Sequence, residues 1–403
     1  MKLLIAINTL GVGGAERALI NFLRLPELAD CSIDLRVMLE QGELIRELPD
    51  TVRLVNTHCS PQSVLTRCGR GRLLMTVLKD SLSRGSLLRN LPYMTRRLSE
   101  MRRAGKVRAD KLLWKVVSDA SPIPETPYDL AVAWLEGAST YYVADHVRAH
   151  RKIALVHVDY GMAGYTPALD HGCYEKIDQI FCVSGEVRRS FLQIYPEYAG
   201  KTGVFHNILD IQEIRQRAQE SEGFTDGFEG TRILTVCRLV QQKQLDVSIE
   251  AMRLLKERHA GNRRIRWYVL GEGEDRAKLE KQIREAGLSG DFLLPGVKKN
   301  PYPYFREADI YVHCTGYEGR SLAIEEAQIL GKPVIVSDVS GNREQVDAGV
   351  DGLVVPLEAG KIADAVERLL ASPEYARQLG ENASKKDFRG GDLAELLKDQ
   401  QHE

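Results

Sequence analysis

The sequence predicts an α/β protein made of two doubly wound halves, each with a parallel sheet. Three observations carry that prediction. Short β-branched and aromatic runs alternate with longer helical segments along most of the chain. Two of the runs, residues 2–7 and 310–315, lead through glycine loops into helices, the unit that brings a helix N-terminus close to a ligand. A chain of 403 residues exceeds one core of this kind and suits two domains.

Residues 2–7 read as a buried parallel strand. The loop over residues 11–15 holds Gly11, Gly13 and Gly14, and a helix follows over 16–23. A glycine loop alone is equally a tight turn or a place where a phosphate or sugar comes close. Residues 31–38 alternate as a second strand, and the pattern resumes at 128–133, 152–156, 179–183 and 201–205. His157 follows the run 152–156, at a carboxyl end where open α/β sheets bind ligands. Ser184 suits the N-cap of a helix over 185–192. Residues 221–230, with Gly223, Gly227 and Gly230, read as a linker or loop.

The second half opens with a strand over 231–237, with Arg238 and Lys243 at and beyond its end. A helix over 245–258, a strand over 265–270 and a helix start at 271–275 come next, then a short strand over 292–296. The run 310–315 is the strand before the stretch 318–333. There Ser321 is placed to cap a mostly buried helix that Gly331 and Pro333 stop. Strands at 333–338 and 352–355 and helices from Glu358 and Pro373 complete a second doubly wound half. Glu318 lies in the loop and Glu326 on the second turn of the helix. Two carboxylates beside a helix N-terminus can hold sugar hydroxyls while backbone N–H groups hold a phosphate.

Composition sets outer bounds. An apolar content of 43% with 28% charged residues is ordinary for a globular protein. Seven scattered cysteines, none in a Cys-x-x-Cys pair, argue against a disulfide framework or a zinc site and fit a reducing compartment. The apolar run at the N-terminus is too short for a signal peptide, and no window approaches a membrane span. The expectation is a cytoplasmic protein.

The net charge of −1 hides an asymmetry. Residues 63–116 hold fourteen Lys or Arg against Asp80, Glu100 and Asp110, an excess of eleven. Leucines such as Leu73, Leu74, Leu78, Leu82, Leu88, Leu91 and Leu98, with Val77 and Met101, run between them at roughly helical spacing. Two readings stand: a peripheral dock on an anionic membrane, or a helical insertion whose apolar face packs on its own domain. Aromatics for base stacking are nearly absent, so nucleic acid is not expected as a partner.

Glu318 and Glu326, with Gly319, Ala327, Gly331 and Pro333 around them, resemble the Glu-x7-Glu motif of the retaining glycosyltransferases of family 4. Arg320 stands where that family usually has phenylalanine, as in its capsule and exopolysaccharide branch. Arg238 and Lys243 match both cations of the family's Gly-Arg-Leu-x-x-x-Lys-Gly loop, whose glycines are here Cys237 and Gln244. Gly13, Gly14, Glu16 and Arg17 are similar to its first loop, and Asn207 to Asp210 to its interdomain junction. The likeness covers nearly the whole chain and is thin from about 61 to 121.

The resemblance implies the α/β GT-B fold, two Rossmann-like domains facing a central cleft. It divides the chain into an acceptor-side domain at 1–208, a donor-binding domain at 209–385 and a C-terminal helix at 386–403 packing back on the first. The implied reaction moves a sugar from a nucleotide diphosphate sugar, UDP favoured over GDP, to a glycan or lipid-linked hydroxyl with retention. Glu326 would take the ribose hydroxyls, Glu318 those of the donor sugar, and Arg238 and Lys243 the departing diphosphate. His157 would contact the sugar, while Gly13, Gly14, Arg320, Ser321, Leu322 and Gly296 would line the nucleotide-sugar site. No cofactor or metal is expected, since no Asp-x-Asp pair is present. A nucleotide-sugar epimerase and a non-catalytic nucleotide-sugar-binding subunit are the alternatives.

Overall fold

The computed structural model describes residues 1–64, 67–103, 109–220, 223–259 and 263–397. The chain forms two compact units, Met1–Ile208 together with Gly390–Glu403, and Leu209–Arg389. It therefore leaves the first unit once and returns to it once.

Unit 1 is built on a seven-stranded sheet: β1 (Lys2–Ile7), β2 (Ser32–Val37), β3 (Val52–Leu54), β4 (Tyr128–Ala133), β5 (Ala149–Val156), β6 (Gln179–Cys182) and β7 (Thr202–Val204). The order is β3-β2-β1-β4-β5-β6-β7, and every pairing is parallel. Helices cover both faces of such a sheet, so its central strands have no polar side. Accordingly Leu3 through Ile7 are at most 1% exposed. Beside the sheet lies a buried carboxylate, Asp170, which accepts hydrogen bonds from Tyr141 (2.8 Å), Tyr160 (2.9 Å) and Tyr195 (2.5 Å).

The basic segment folds as helices Arg67–Ser83, Ser86–Arg89, Leu91–Arg103 and Ala109–Ala120. Lys106 and Arg108 lie outside the described residues. Part of the apolar pattern faces inward: Leu73 and Val77 pack on the unit 1 core, and Leu98 on Met101, Leu112 and Leu169. The last segment also closes on this unit. The Gly391 N–H donates to the His206 carbonyl (2.8 Å), and Arg151 donates to the Leu396 carbonyl (2.9 Å). The described helix of this segment begins at Leu393 and not at 386, and residues 398–403 lie outside the described residues. Gly390 and Gly391 press against Ile208 and Phe205 there, with no room for side chains.

Unit 2 has six parallel strands, β8 (Thr231–Val236), β9 (Ile265–Leu270), β10 (Phe292–Gly296), β11 (Ile310–His313), β12 (Val334–Ser337) and β13 (Leu353–Val355). Their order, β10-β9-β8-β11-β12-β13, is the Rossmann order, with its switch point between β8 and β11. Residues 223–230, read from sequence as part of a linker, are strapped to this unit. Asp226 accepts from Arg266 (2.8 Å) and from the Tyr268 hydroxyl (2.5 Å), and Phe224 packs on Tyr268 with centroids 4.4 Å apart. The glycines suggested slack; the aromatic residues and Asp226 between them remove it.

Candidate active site

At a switch point the loops leaving two adjacent strands diverge, which opens a crevice at their carboxyl ends. In unit 2 these are the loops after β8 and β11. They are stitched together: the Gly316 N–H and the Thr315 hydroxyl both donate to the Gln242 carbonyl, at 2.9 and 3.1 Å. Gln242 Nε2 returns a bond to the Tyr317 carbonyl (2.9 Å). That stitching brings Lys243 against Glu318, where Nζ donates to Oε2 in a short ion pair.

His313, at the end of β11, completes the group. Its Nε2 lies 3.2 Å from Glu318 Oε2, and its Nδ1 lies 3.1 Å from the Tyr311 hydroxyl. Burial and the neighbouring Lys243 depress the His313 pKa, so the ring is neutral at pH 7. A neutral ring in this place donates from Nε2 to Glu318 and accepts the Tyr311 O–H at Nδ1. For Glu318 burial acts to raise the pKa, but Lys243 and His313 outweigh it and hold the carboxylate well below its usual range. The cluster is thus a buried, ionised carboxylate with two donors already on it.

Glu326 and Arg320 have partners of their own. Glu326, 7% exposed on the helix Leu322–Ile329, accepts from the Tyr302 hydroxyl (3.2 Å). Arg320 turns onto Glu325, Nε to Oε1 2.9 Å, while Glu325 Oε2 is buried without a hydrogen-bond partner among the described residues. Ser321 stands at the N-cap position but makes no side-chain cap bond. Its backbone is clamped instead by Gln345, which accepts from the Ser321 N–H (2.8 Å) and donates to the Ser321 carbonyl (2.9 Å). The expected cap is therefore absent, and no side chain among the described residues caps this helix start, where Leu322 is buried. Arg238 is exposed and makes no ion pair among the described residues. Of the two cations expected to act together, Lys243 is thus neutralised and Arg238 is not.

Gly271 and Gly273 have a packing reason. A Cβ at Gly271 would lie 1.8 Å from the Cys237 carbonyl oxygen, and one at Gly273 2.1 Å from that of Leu239. They let the β9 loop press on the loop after β8. Gly296 ends β10 beside them, its carbonyl accepting the Gly271 N–H at 3.1 Å. Gln244, in place of a glycine, holds the left-handed conformation that the loop requires, with φ +43°.

In unit 1 the switch point lies between β1 and β4. Asn8, just past β1, donates to the Glu136 carbonyl (2.9 Å) and accepts from the Ser139 N–H (3.0 Å). Glu136, buried past β4, accepts from the His157 N–H (3.1 Å), and burial raises its pKa. The His157 ring is buried and bonded to the Trp134 backbone, which leaves Nε2 without a hydrogen-bond partner among the described residues. Burial drives its pKa down to about 3, so this ring too is neutral. Gly13 precedes the helix Gly14–Leu23, and the Glu16 carboxylate fills the space a Cβ would take, 2.3 Å away.

Sequence reading missed His313, Tyr311, Glu136, Asn8 and Tyr302. The available signal was position: His313, Asn8 and Glu136 are polar residues at or just past the carboxyl ends of apolar strands. In sequence His313 reads only as part of a strand.

Residues 220–386 match the family model Glycosyl transferases group 1. The match takes in both stitched loops and the Lys243–Glu318 pair. Among curated relatives, alpha-D-kanosaminyltransferase of Streptomyces kanamyceticus is 30% identical over 178 residues, 43% of this chain and 45% of that one. A Campylobacter jejuni enzyme, N-acetylgalactosamine-N,N'-diacetylbacillosaminyl-diphospho-undecaprenol 4-alpha-N-acetylgalactosaminyltransferase, is 26% identical over 227 residues, 56% and 60% of the two chains. The chain thus spans about half the length of these curated relatives. Among solved structures, Anabaena Alr3699/HepE in complex with UDP-glucose aligns with TM-score 0.64 and 18% identity over 95% of this chain and 93% of its own. Sucrose-phosphate synthase of Thermosynechococcus elongatus aligns with TM-score 0.63 and 17% identity over 96% and 93%. At these identities the likeness gives the fold, which is the α/β GT-B fold.

Proposed function

We propose that this chain is a retaining glycosyltransferase of family 4, of its capsule and exopolysaccharide branch. It moves a hexosyl group from a nucleotide diphosphate sugar, UDP favoured over GDP, to a hydroxyl of a glycan or lipid-linked acceptor. It works in the cytoplasm in cell-surface polysaccharide biosynthesis. The observation that carries this reading is the ionised Glu318 held by Lys243 and His313 at the unit 2 switch point, inside the group 1 match. Sugar transfer by the curated relatives, and UDP-glucose bound by Alr3699/HepE, support it.

In this reading Glu318 accepts hydrogen bonds from donor-sugar hydroxyls and Glu326 from the ribose, displacing or sharing Tyr302. The diphosphate draws on Arg238, which has no ion pair among the described residues to give up, and competes with Glu318 for Lys243. In unit 2 the uncapped helix start at Leu322 and Gly296 offer close backbone approach, and in unit 1 the Gly13 and Gly14 loop does the same. Arg320, turned onto Glu325, shapes the loop instead of gripping phosphate. His157 offers Nε2 to a sugar hydroxyl. No side chain forms a covalent intermediate; charge stabilisation of the leaving group and positioning supply the rate. No metal is required.

The test is incubation of the purified chain with UDP- and GDP-sugars, with and without glycan acceptors, following melting temperature and products. A UDP-sugar should raise the melting temperature, and an acceptor should yield a product with the donor's anomeric configuration. Glu318→Gln should cut turnover at least tenfold. Epimerised donor without acceptor would establish the epimerase instead, and donor binding without turnover the binding subunit. Complete loss of activity in EDTA would overturn the metal-free reading.

A further inference from the structure

The basic helices of unit 1 have a second face. Of the eleven large hydrophobic side chains exposed among the described residues, six lie between 74 and 91. Met75 is 67% exposed, Leu82 61% and Leu88 74%. On the helix Arg67–Ser83, a 100° step per residue puts positions 74, 75, 78 and 82 on one side, within about a quarter turn. These are the apolar residues that do not pack on the unit 1 core; Leu73 and Val77 do.

The charges around this stripe are uncompensated. Arg72, Lys79, Arg84 and Arg89 are exposed and make no ion pair among the described residues; Arg89 only donates to the Arg84 carbonyl (3.1 Å). The nearby acids are committed elsewhere. Glu100 pairs with Arg97 (2.7 Å), and Asp119 with Lys115 (2.7 Å) and His146 (2.9 Å). Asp80 projects from the opposite side of its helix.

We propose that this face docks unit 1 on an anionic lipid surface. Leu78, Leu82 and Leu88 enter the acyl boundary, and Arg72, Lys79, Arg84 and Arg89 meet headgroup phosphates. Aliphatic side chains flanked by free cations are complementary to that boundary. Protein interfaces centre on aromatic anchors and single-stranded nucleic acid needs stacking platforms; the exposed apolar residues here include no aromatic one. No helix among the described residues is long and apolar enough to span a membrane, so the attachment is peripheral. The proposal stands independently of the sugar-transfer reading.

The experiment is co-sedimentation of the full chain with phosphatidylcholine vesicles, with and without about one third phosphatidylglycerol. It is run at low salt and at ~1 M salt, where the Debye length shrinks to ~3 Å. One variant carries Leu78→Gln and Leu82→Gln, a second Lys79→Gln, Arg84→Gln and Arg89→Gln. A control carries Lys281→Gln and Arg377→Gln in unit 2. All are exposed positions, and an unchanged melting temperature verifies the fold. The anionic vesicles should bind the chain at low salt only, each face variant should bind at least tenfold more weakly, and the control should match the parent. Absence of sedimentation, indifference to lipid charge, binding unaltered by both face variants, or preference for single-stranded RNA over vesicles would each overturn the proposal.

Discussion

Lys243 and Arg238 are the same kind of side chain in sequence and different objects in the fold. Lys243 compensates a buried carboxylate, whereas Arg238 has no ion-pair partner among the described residues. Both Lys243→Ala and Arg238→Ala should lower turnover more than tenfold, but only the first should lower the melting temperature. Its cost should be on the order of 2–3 kcal/mol, below that of a fully uncompensated charge because His313 still donates. The Glu318 pKa is depressed from 4.5 in the fold, so the stability it contributes is complete above that pH and is lost as pH falls through the depressed value. The gap between parent and Lys243→Ala, read from urea melts, should narrow in acid. Gln244 carries a cost of its own at φ +43°. Gln244→Gly should raise stability by up to about 1 kcal/mol, measured by thermal melting.

Elements explain what the sequence could and could not disclose. Strand runs such as Leu3 to Ile7 and Ile310 to Val312 were legible because both faces of the sheets are covered, which leaves uninterrupted apolar stretches. The three-residue edge strand Val52–Leu54 was not legible, being too short to show a period. Nor was the helix Ala138–His146, seven of whose nine residues are buried, so it has no polar face. At the site, Glu318 and Lys243 were legible from their flanking residues, but their pairing across 75 positions depends on the β8–β11 adjacency, which no local pattern records. Gly271 and Gly273 were not legible as a packing contact, because the Cys237 and Leu239 carbonyls that they meet lie on a distant loop. Gly273→Ala should therefore destabilise unit 2 by more than about 2 kcal/mol, measured by urea denaturation, through overpacking against the Leu239 carbonyl.

At the scale of the molecule, pH should act on unit 1 through Asp170. Burial raises its pKa from 3.8 to about 6, against the pull of Tyr195, Tyr141 and Tyr160. The folded state then holds a proton that the unfolded chain has lost, so this group's contribution falls as pH rises from about 4 to 6. Asp170→Asn should remove that slope, a difference of up to about 3 kcal/mol between parent and variant pH profiles of unfolding. The return of the chain at Gly390 has a different bearing, on synthesis. Most of unit 1 leaves the ribosome ahead of unit 2, but its closing piece, with Leu396 fully buried, follows unit 2. A nascent chain can finish the inserted unit, Leu209–Arg389, while the outer one still waits with Phe205 and Ile208 uncovered. A chain ended at Arg389 and freed from the ribosome should display a protease-resistant inserted body joined to a protease-sensitive first one, the reverse of the order in which they were made.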